Sequence, residues 1–332
     1  MKAWVVRRNG PPDSMTFEDL PDPGTPPGML RIAVEAAGVN FFDSLLVAGT
    51  YQQKPDLPFV PGAEVAGVVV GVPRDSGFEA GDRVLARVQA DGLGGGGYAE
   101  LAHARPEDVL KIPDSMSFEE AAAFFINYQT GWFGLNRRAQ LQPGEFLLVH
   151  GAAGGVGSAA VQLGKAAGAV VIASVGSAEK AAVCRRLGAD LVVQHHEQDV
   201  AQAVKDFTRG HGADVVYDPV GGDAFERSTK CIAFEGRLVV VGFASGQIPQ
   251  ARANHVLVKN YSVVGLHWGL YNERRRDLVD ECTQELLRLY SAGRIAPLVS
   301  RRVPLERAAE ALSDVAAGRS TGKTVLVRAR DL

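Results

Sequence analysis

The chain has 332 residues, room for about two domains of ordinary size. Apolar residues make up 46% of it and charged residues 22%, and the formal net charge of −3 comes from acidic and basic residues scattered along the sequence, which excludes nucleic acid as the main partner. No apolar run reaches the roughly 18–20 residues of a membrane-spanning helix. The three cysteines, Cys184, Cys231 and Cys282, stand too far apart for a disulfide framework or a structural zinc, so a reducing, cytoplasmic setting is expected.

The opening Met1-Lys2-Ala3-Trp4-Val5-Val6 reads as a strand rather than a leader. From there to about residue 120, short strands such as Leu30–Ala36, Glu64–Val70 and Arg83–Arg87 alternate with Gly- and Pro-rich breaks at Pro21–Gly24, Pro26–Gly28 and Gly92–Gly97. Ser117 with Glu120 three residues on is a capping box that opens a helix. From Glu145 the rhythm changes. Strands that are apolar throughout (Phe146–His150, Val170–Val175, Leu191–Val193, Asp214–Asp218, Arg237–Gly242) alternate with helices running to about Ala167 and over Ala178–Leu187, Val200–Thr208 and Ala224–Ala233. That alternation predicts a parallel sheet covered on both faces. Tyr261–Leu266 reads as one more strand, Asp277–Ala292 and Leu305–Ala317 as amphipathic helices, and Thr324–Val327 as a closing strand.

The sharpest feature is Leu147–Val175, LLVHGAAGGVGSAAVQLGKAAGAVVIASV. Gly154 and Gly157 take the second and third positions of a Gly-x-Gly-x-x-Gly fingerprint, with Ala152 in the first. Glycines let main chain approach a pyrophosphate, and the helix start offers free N–H groups and a positive dipole end. An NAD site carries an acid about 20 residues on, at the end of the second strand, to hold the ribose hydroxyls. Here that strand ends Ala173-Ser174-Val175-Gly176-Ser177, with Lys180 one turn later. Hydroxyls and a cation suit a 2′-phosphate, so NADPH is the expected cofactor.

Gly38-Val39-Asn40-Phe41-Phe42-Asp43, Gly49-Thr50-Tyr51, Pro61–Gly67, Gly81–Val84, Gly97–Glu100, Tyr128-Gln129-Thr130, His150–Gly157 and Leu187–Asp190 carry a further signal. With them the chain resembles, over essentially its whole length, the zinc-free NADPH:quinone oxidoreductases of zeta-crystallin type in the medium-chain dehydrogenase/reductase superfamily. The resemblance implies an α/β fold: a GroES-like β domain (1–122 and 267–332) plus a Rossmann domain with a doubly wound parallel sheet (123–266), the cofactor lying between them. It implies cofactor contacts at Tyr51, Thr130, Ala153, Gly154, Gly155, Val156, Gly157, Gly176, Ser177, Lys180, His195, Val241, Gly242, Phe243, Leu266 and His267. It also implies a homodimer, with Val263–Leu266 extending the sheet into a second copy. Zinc-dependent relatives have a cysteine where Asn40 stands and a histidine where Ala63 stands. Glu64 alone cannot hold a catalytic zinc, so no metal is expected, and Glu64 is read as a core residue bonded to backbone.

A quinone takes a hydride and then protons from water, so its reduction demands positioning rather than a strong general acid. An enone follows the same course, with a donor steadying the enolate. The expected catalytic polar groups are Asn40, Asp43, Tyr51 and Thr130, with Tyr51 donating to the acceptor oxygen or to the nicotinamide ribose. Asn40 and Asp43 equally suit the N-terminus of the short helix that follows them. Thr130 also fits a satisfied helix hydroxyl, His195 an ordinary surface histidine, and Tyr128 and Trp132 the core. His267, Trp268 and Tyr271 fit an acceptor pocket or a subunit interface. Arg274–Arg276 read as a solvated helix start, or more weakly as a lure for an acidic substrate such as a CoA thioester. The expected function is NADPH-dependent reduction of a quinone or similar conjugated carbonyl acceptor without a metal. Enoyl-thioester or 2-alkenal reduction is the rival within enzymes, and an NADPH-binding redox-sensing or structural protein without turnover is the rival outside them.

Overall fold

Phe146-Leu147-Leu148-Val149-His150 is apolar up to its last residue, as a strand covered on both faces must be, and it lies at the middle of a parallel sheet. The computed structural model describes residues 1–328. In chain order, β1 (Lys2–Val5), β2 (Thr16–Asp19), β3 (Leu30–Val39), α1 (Phe41–Val47), β4 (Glu64–Gly71), β5 (Arg83–Arg87), β6 (Leu101–Ala104) and β7 (Val109–Lys111) lead to the long helix α2 (Phe118–Trp132). The α/β alternation follows as β8 (Phe146–His150), α3 (Gly155–Ala166), β9 (Val170–Val175), α4 (Ala178–Arg186), β10 (Leu191–Gln194), α5 (Val200–Phe207), β11 (Ala213–Asp218), α6 (Asp223–Cys231) and β12 (Ile232–Val240). After these come α7 (Ala253–Lys259), β13 (Ser262–Gly265), α8 (Gly269–Arg274), α9 (Arg276–Ser291), β14 (Val299–Pro304), α10 (Ala308–Ala316) and β15 (Lys323–Val327).

The contacts divide the chain into two units, Met1–Ile126 with the chain from Pro297, and Asn127–Ala296. In the second, six strands lie in the order β10-β9-β8-β11-β12-β13, every neighbouring pair parallel. The chain winds outward from β8 to β10, returns to β11 beside β8, and winds outward the other way. This is a doubly wound Rossmann sheet with its switch point between β8 and β11. One face buries Leu148, Ile172, Val216 and Leu238 with Val204 of α5 and Phe225 of α6.

The first unit is GroES-like. Its larger sheet runs β14-β15-β3-β4-β5-β7, with β6 also on β3, antiparallel throughout except for the parallel pair β14–β15. Along β3, Leu30, Ile32 and Val34 alternate inward with partly exposed neighbours, the period-2 pattern of a half-buried strand. The expected capping box is present: the Glu120 N–H meets Ser117 Oγ at 3.2 Å, and Glu120 Oε2 accepts from the Ser117 N–H and hydroxyl, each at 3.0 Å.

Residues 267–296, grouped above with the GroES-like part, pack within the second unit. There α9 buries Val279, Cys282, Leu286 and Leu289, Gln129 of α2 bonds both Thr283 and Trp268, and the Tyr128 hydroxyl donates to the Ala296 carbonyl. An amphipathic helix shows in sequence which face it buries but not against what. The fifth strand of the alternation also starts earlier than the expected Arg237, because the turn of chain after α6 pairs Ile232 with Ala213 across a register shift.

Candidate active site

In a parallel sheet every strand ends at the same edge, and the expected cofactor residues of the second unit, all but Thr130 of α2, follow five such ends. Ala153–Gly157 follow β8, Gly176, Ser177 and Lys180 follow β9, and His195 follows β10. Val241–Phe243 follow β12, and Leu266 and His267 follow β13. Ligands of doubly wound sheets bind at this edge beside the switch point.

After β8 the chain turns at Gly151 (φ +57°), and the Ala152 N–H bonds the Ser174 carbonyl at 3.2 Å. Gly154 stands at the N-cap of α3 and no side chain caps the helix, so its first-turn N–H groups are left for a ligand. The two fingerprint glycines differ in what surrounds them. A Cβ on Gly157 would lie 2.1 Å from the Gly151 carbonyl oxygen, so only glycine lets helix and strand pack this closely. A Cβ on Gly154 would meet only that same oxygen, at 3.3 Å, so its outer side is an open cradle that a side chain would fill. These features fit a dinucleotide diphosphate.

At the end of β9, Ser177 caps α4 by accepting from the Lys180 N–H at 3.3 Å, and no carboxylate ends the strand. His195 is half-buried: its Nδ1 lies 3.4 Å from Ser174 Oγ and its carbonyl accepts from the Arg227 guanidinium at 3.5 Å. Burial, then the nearby His196, Arg227, His150 and Lys180, push the His195 imidazole down to about 4. His150 is buried with its Nε2 2.7 Å from Ser228 Oγ, whose own hydrogen goes to the Ala224 carbonyl. Burial moves its pKa down, leaving a neutral ring that donates through Nε2.

Among the aromatics after β13, Trp268 Nε1 donates to Gln129 Oε1 at 2.9 Å, and Tyr271 stacks on Phe133 with centroids 4.1 Å apart. Tyr128 and Trp132 are buried, in agreement with a core role, and Thr130 is buried on the same helix. Arg275 and Arg276 pair with Asp277 and Asp280, as a solvated helix start does.

In the first unit, Asn40, Asp43 and Glu64 form a buried polar network that the sequence revealed only in part. Lys323, at the first position of β15, donates to Asn40 Oδ1 at 2.6 Å and to Glu64 Oε1. Asn40 Nδ2 donates to the same Glu64 oxygen, and the Ile126 N–H to Oε2, both at 3.0 Å. Glu64 therefore binds backbone in the core, as expected, but its countercharge was missed. Asp43 accepts from the Asn40 N–H at 2.9 Å and from the Tyr98 hydroxyl at 3.0 Å, while its Oδ1 is buried without a partner. Burial holds its carboxyl up to about 7, against the pull of the Asn40 N–H, Lys323 and Tyr98. Asp43 thus anchors the start of α1 in a capping box with Asn40, the N-cap residue, whose amide also meets the ion pair. The half-buried Tyr51 rests its ring on Phe42 at 5.6 Å, and its phenol pKa is raised by burial and by Asp43.

The donor set around Glu64 does not fit zinc. Asn40 and Ala63 are not zinc ligands, and Glu64 is already bonded to an ammonium, an amide and a main-chain N–H. Among the described residues no group of three or more His, Cys, Asp or Glu is placed to hold a metal ion, and no helix is long and apolar enough to cross a membrane.

Residues 26–114 match the family model described as "Alcohol dehydrogenase GroES-like domain", and residues 155–284 the one described as "Zinc-binding dehydrogenase". A quinone oxidoreductase-like protein 2 homolog of Nematostella vectensis is 40% identical over 316 residues, covering 95% of this chain and 84% of that protein. The quinone oxidoreductase-like protein 2 of Bos taurus is 36% identical, covering 94% and 88%. Escherichia coli quinone oxidoreductase, solved in complex with NADPH, superposes with a TM-score of 0.89 at 31% identity, covering 98% of this chain and 100% of that one. With both units, the open glycine loop and these relatives in agreement, the chain belongs to the quinone oxidoreductase-like oxidoreductases of the medium-chain dehydrogenase/reductase superfamily.

Proposed function

We propose that the protein is an NADPH-dependent reductase of quinones or similarly conjugated carbonyl compounds that works without a metal. The observation that carries this reading is the edge of the Rossmann sheet: an uncapped helix start behind an open glycine, next to a strand end with a cation and imidazoles in place of a carboxylate. When bound, the nicotinamide supplies the hydride. Main-chain N–H groups of Ala153–Gly157 hold the diphosphate, and Gly176, Ser177, Lys180 and His195 hold the 2′-phosphate. Val241–Phe243, Leu266, His267 and Thr130 flank the remainder. Tyr51 keeps its proton and donates it in a hydrogen bond to the acceptor oxygen or to the ribose. Asn40 and Asp43 serve behind it, fixing the loop that leads into α1 rather than meeting the acceptor.

We further assign a homodimer. β13 ends the sheet with one edge unpaired, and beside it Leu257 and Val258 of α7 are 75% and 78% exposed, an apolar edge that a second copy would cover by continuing the sheet. Steady-state NADPH oxidation with 1,4-benzoquinone, 9,10-phenanthrenequinone, crotonyl-CoA and 2-hexenal tests the activity. Quinone turnover above the uncatalysed rate is expected. Turnover of crotonyl-CoA or hexenal alone transfers the assignment to the enoyl-thioester or alkenal reaction, and no turnover with any acceptor overturns it.

A further inference from the structure

Building on that cofactor reading, we propose that His195 and His196 together select the 2′-phosphate and that His195 takes up a proton as the phosphate binds, so that discrimination against unphosphorylated nucleotides is tied to pH. The placement of the two rings carries this. A Cβ built on Gly176 would lie 3.4 Å from His196 Nε2 and 3.5 Å from His195 Nε2, so both ring nitrogens converge over the bare glycine at the end of β9. The ring centroids are 4.4 Å apart. The groups around them are mostly cations: Lys180 of α4, Arg227 of α6, whose guanidinium reaches the His195 carbonyl, and the neutral His150 of β8. The acids nearby face elsewhere or stand in solvent. Asp223 is 3.9 Å from the Arg227 guanidinium, Asp218 accepts from the Val220 and Gly221 N–H groups, and Glu179 and Glu197 are exposed.

The His196 ring, the arginine and the lysine this close to His195 oppose its protonation. These surroundings hold His195 neutral until about pH 4. A phosphate dianion reverses the sign of the local field, whereas the ribose hydroxyl of an unphosphorylated nucleotide does not. A base that is protonated more readily in the complex than in the free protein takes up a proton on binding throughout the interval between its two pKa values. The affinity gained that way is lost as pH rises through the upper one. The ligand's own titration has the opposite sign: its second ionisation falls near about 6, so binding at lower pH would release protons from the phosphate.

Isothermal titration of NADP+ and NAD+ near neutral pH, in buffers of different ionisation enthalpy, reads the proton count directly. Net uptake is expected with NADP+ and not with NAD+, with NADP+ affinity falling by up to about tenfold per pH unit above neutrality. The uptake shrinks in His195→Gln and in His196→Gln, and the exposed His196 gives a variant that keeps the fold. NADP+ binding more tightly than NAD+ without proton uptake, or with the same uptake in both variants, overturns this proposal alone. Equal affinity for the two nucleotides, or no binding of either, overturns the cofactor reading as well.

Discussion

Replacing Lys323 with methionine isolates the ion pair at the centre of the first unit. The side chains of Lys323 and Glu64 are 3% and 1% exposed, so neither charge has bulk water to fall back on. The methionine fills most of the volume and removes only the ammonium. Glu64 then retains two donors, the Asn40 amide and the Ile126 N–H, but no countercharge, and Asn40 Oδ1 loses its partner. Breaking a buried pair from one side costs about 3–5 kcal/mol. For a unit of this size each kcal/mol moves the melting temperature by about 2–4 °C, so the transition should fall by roughly 6–20 °C. Calorimetry, with urea denaturation as a second probe, measures the shift. Lys323→Met combined with Glu64→Gln removes both charges and should cost well under the sum of the single changes, because the neutral amide can still accept from the Ile126 N–H. A single-variant shift under about 2 °C, or strict additivity in the double variant, would refute the argument.

Three further outcomes are expected. Lys180→Ala should raise KM for NADPH far more than for NADH, measured side by side with one acceptor, and equal effects would refute the 2′-phosphate assignment. The Asp43 carboxyl keeps its proton to about 7, so the stability it contributes is present below the ordinary carboxyl value and lost as pH rises through about 7. At about 1.4 kcal/mol per pH unit that is on the order of 4 kcal/mol across the window, and Asp43→Asn should flatten denaturation midpoints between those limits. Light scattering of the wild type should give a dimer mass at micromolar concentration, and Val263→Lys, on the unpaired edge of β13, should give a monomer that keeps its circular dichroism.

The Rossmann half was legible because each of its signals is local. A strand covered on both faces must be apolar throughout, a helix that meets a pyrophosphate must begin in glycines, and Ser117 with Glu120 announces a capped helix three residues in advance. The GroES-like half and the buried network were legible only in part. β14 alternates half-buried with exposed positions such as Ser300 and Arg302, since it is an edge strand, and it was missed for lack of an apolar run. Lys323 opens the closing strand directly ahead of Thr324-Val325-Leu326, yet a single lysine beside an apolar run looks in sequence like one that reaches for solvent. Its partners lie 259 and 283 residues earlier in the chain, a pairing only the antiparallel register of β15 on β3 brings about. α7 was overlooked for a related reason: Leu257 and Val258 give it apolar residues that the single chain leaves exposed, so no core periodicity marks it.

The network also narrows what each polar group near Tyr51 can do. The Asn40 amide spends its oxygen on Lys323 and one hydrogen on Glu64, and Asp43 is bonded to Tyr98, so both are engaged within the network while the Tyr51 phenol lies outside it. Burial, and then Asp43, raise its pKa above the ordinary phenol value, so near neutral pH it keeps its proton and can act as a donor. Tyr51→Phe removes that donor and keeps the ring packed on Phe42. If the hydroxyl steadies the oxygen of the acceptor, kcat should fall while KM for NADPH holds. The loss should approach the roughly hundredfold typical of an oxyanion donor for an enone and be smaller for a quinone, whose reduced oxygen is already well stabilised. If it serves the ribose instead, KM for NADPH should rise by a similar factor with every acceptor. Wild-type kinetics across the whole acceptor set would rule out both roles, and with them the claim that α1 and the turn after it are built to present this hydroxyl.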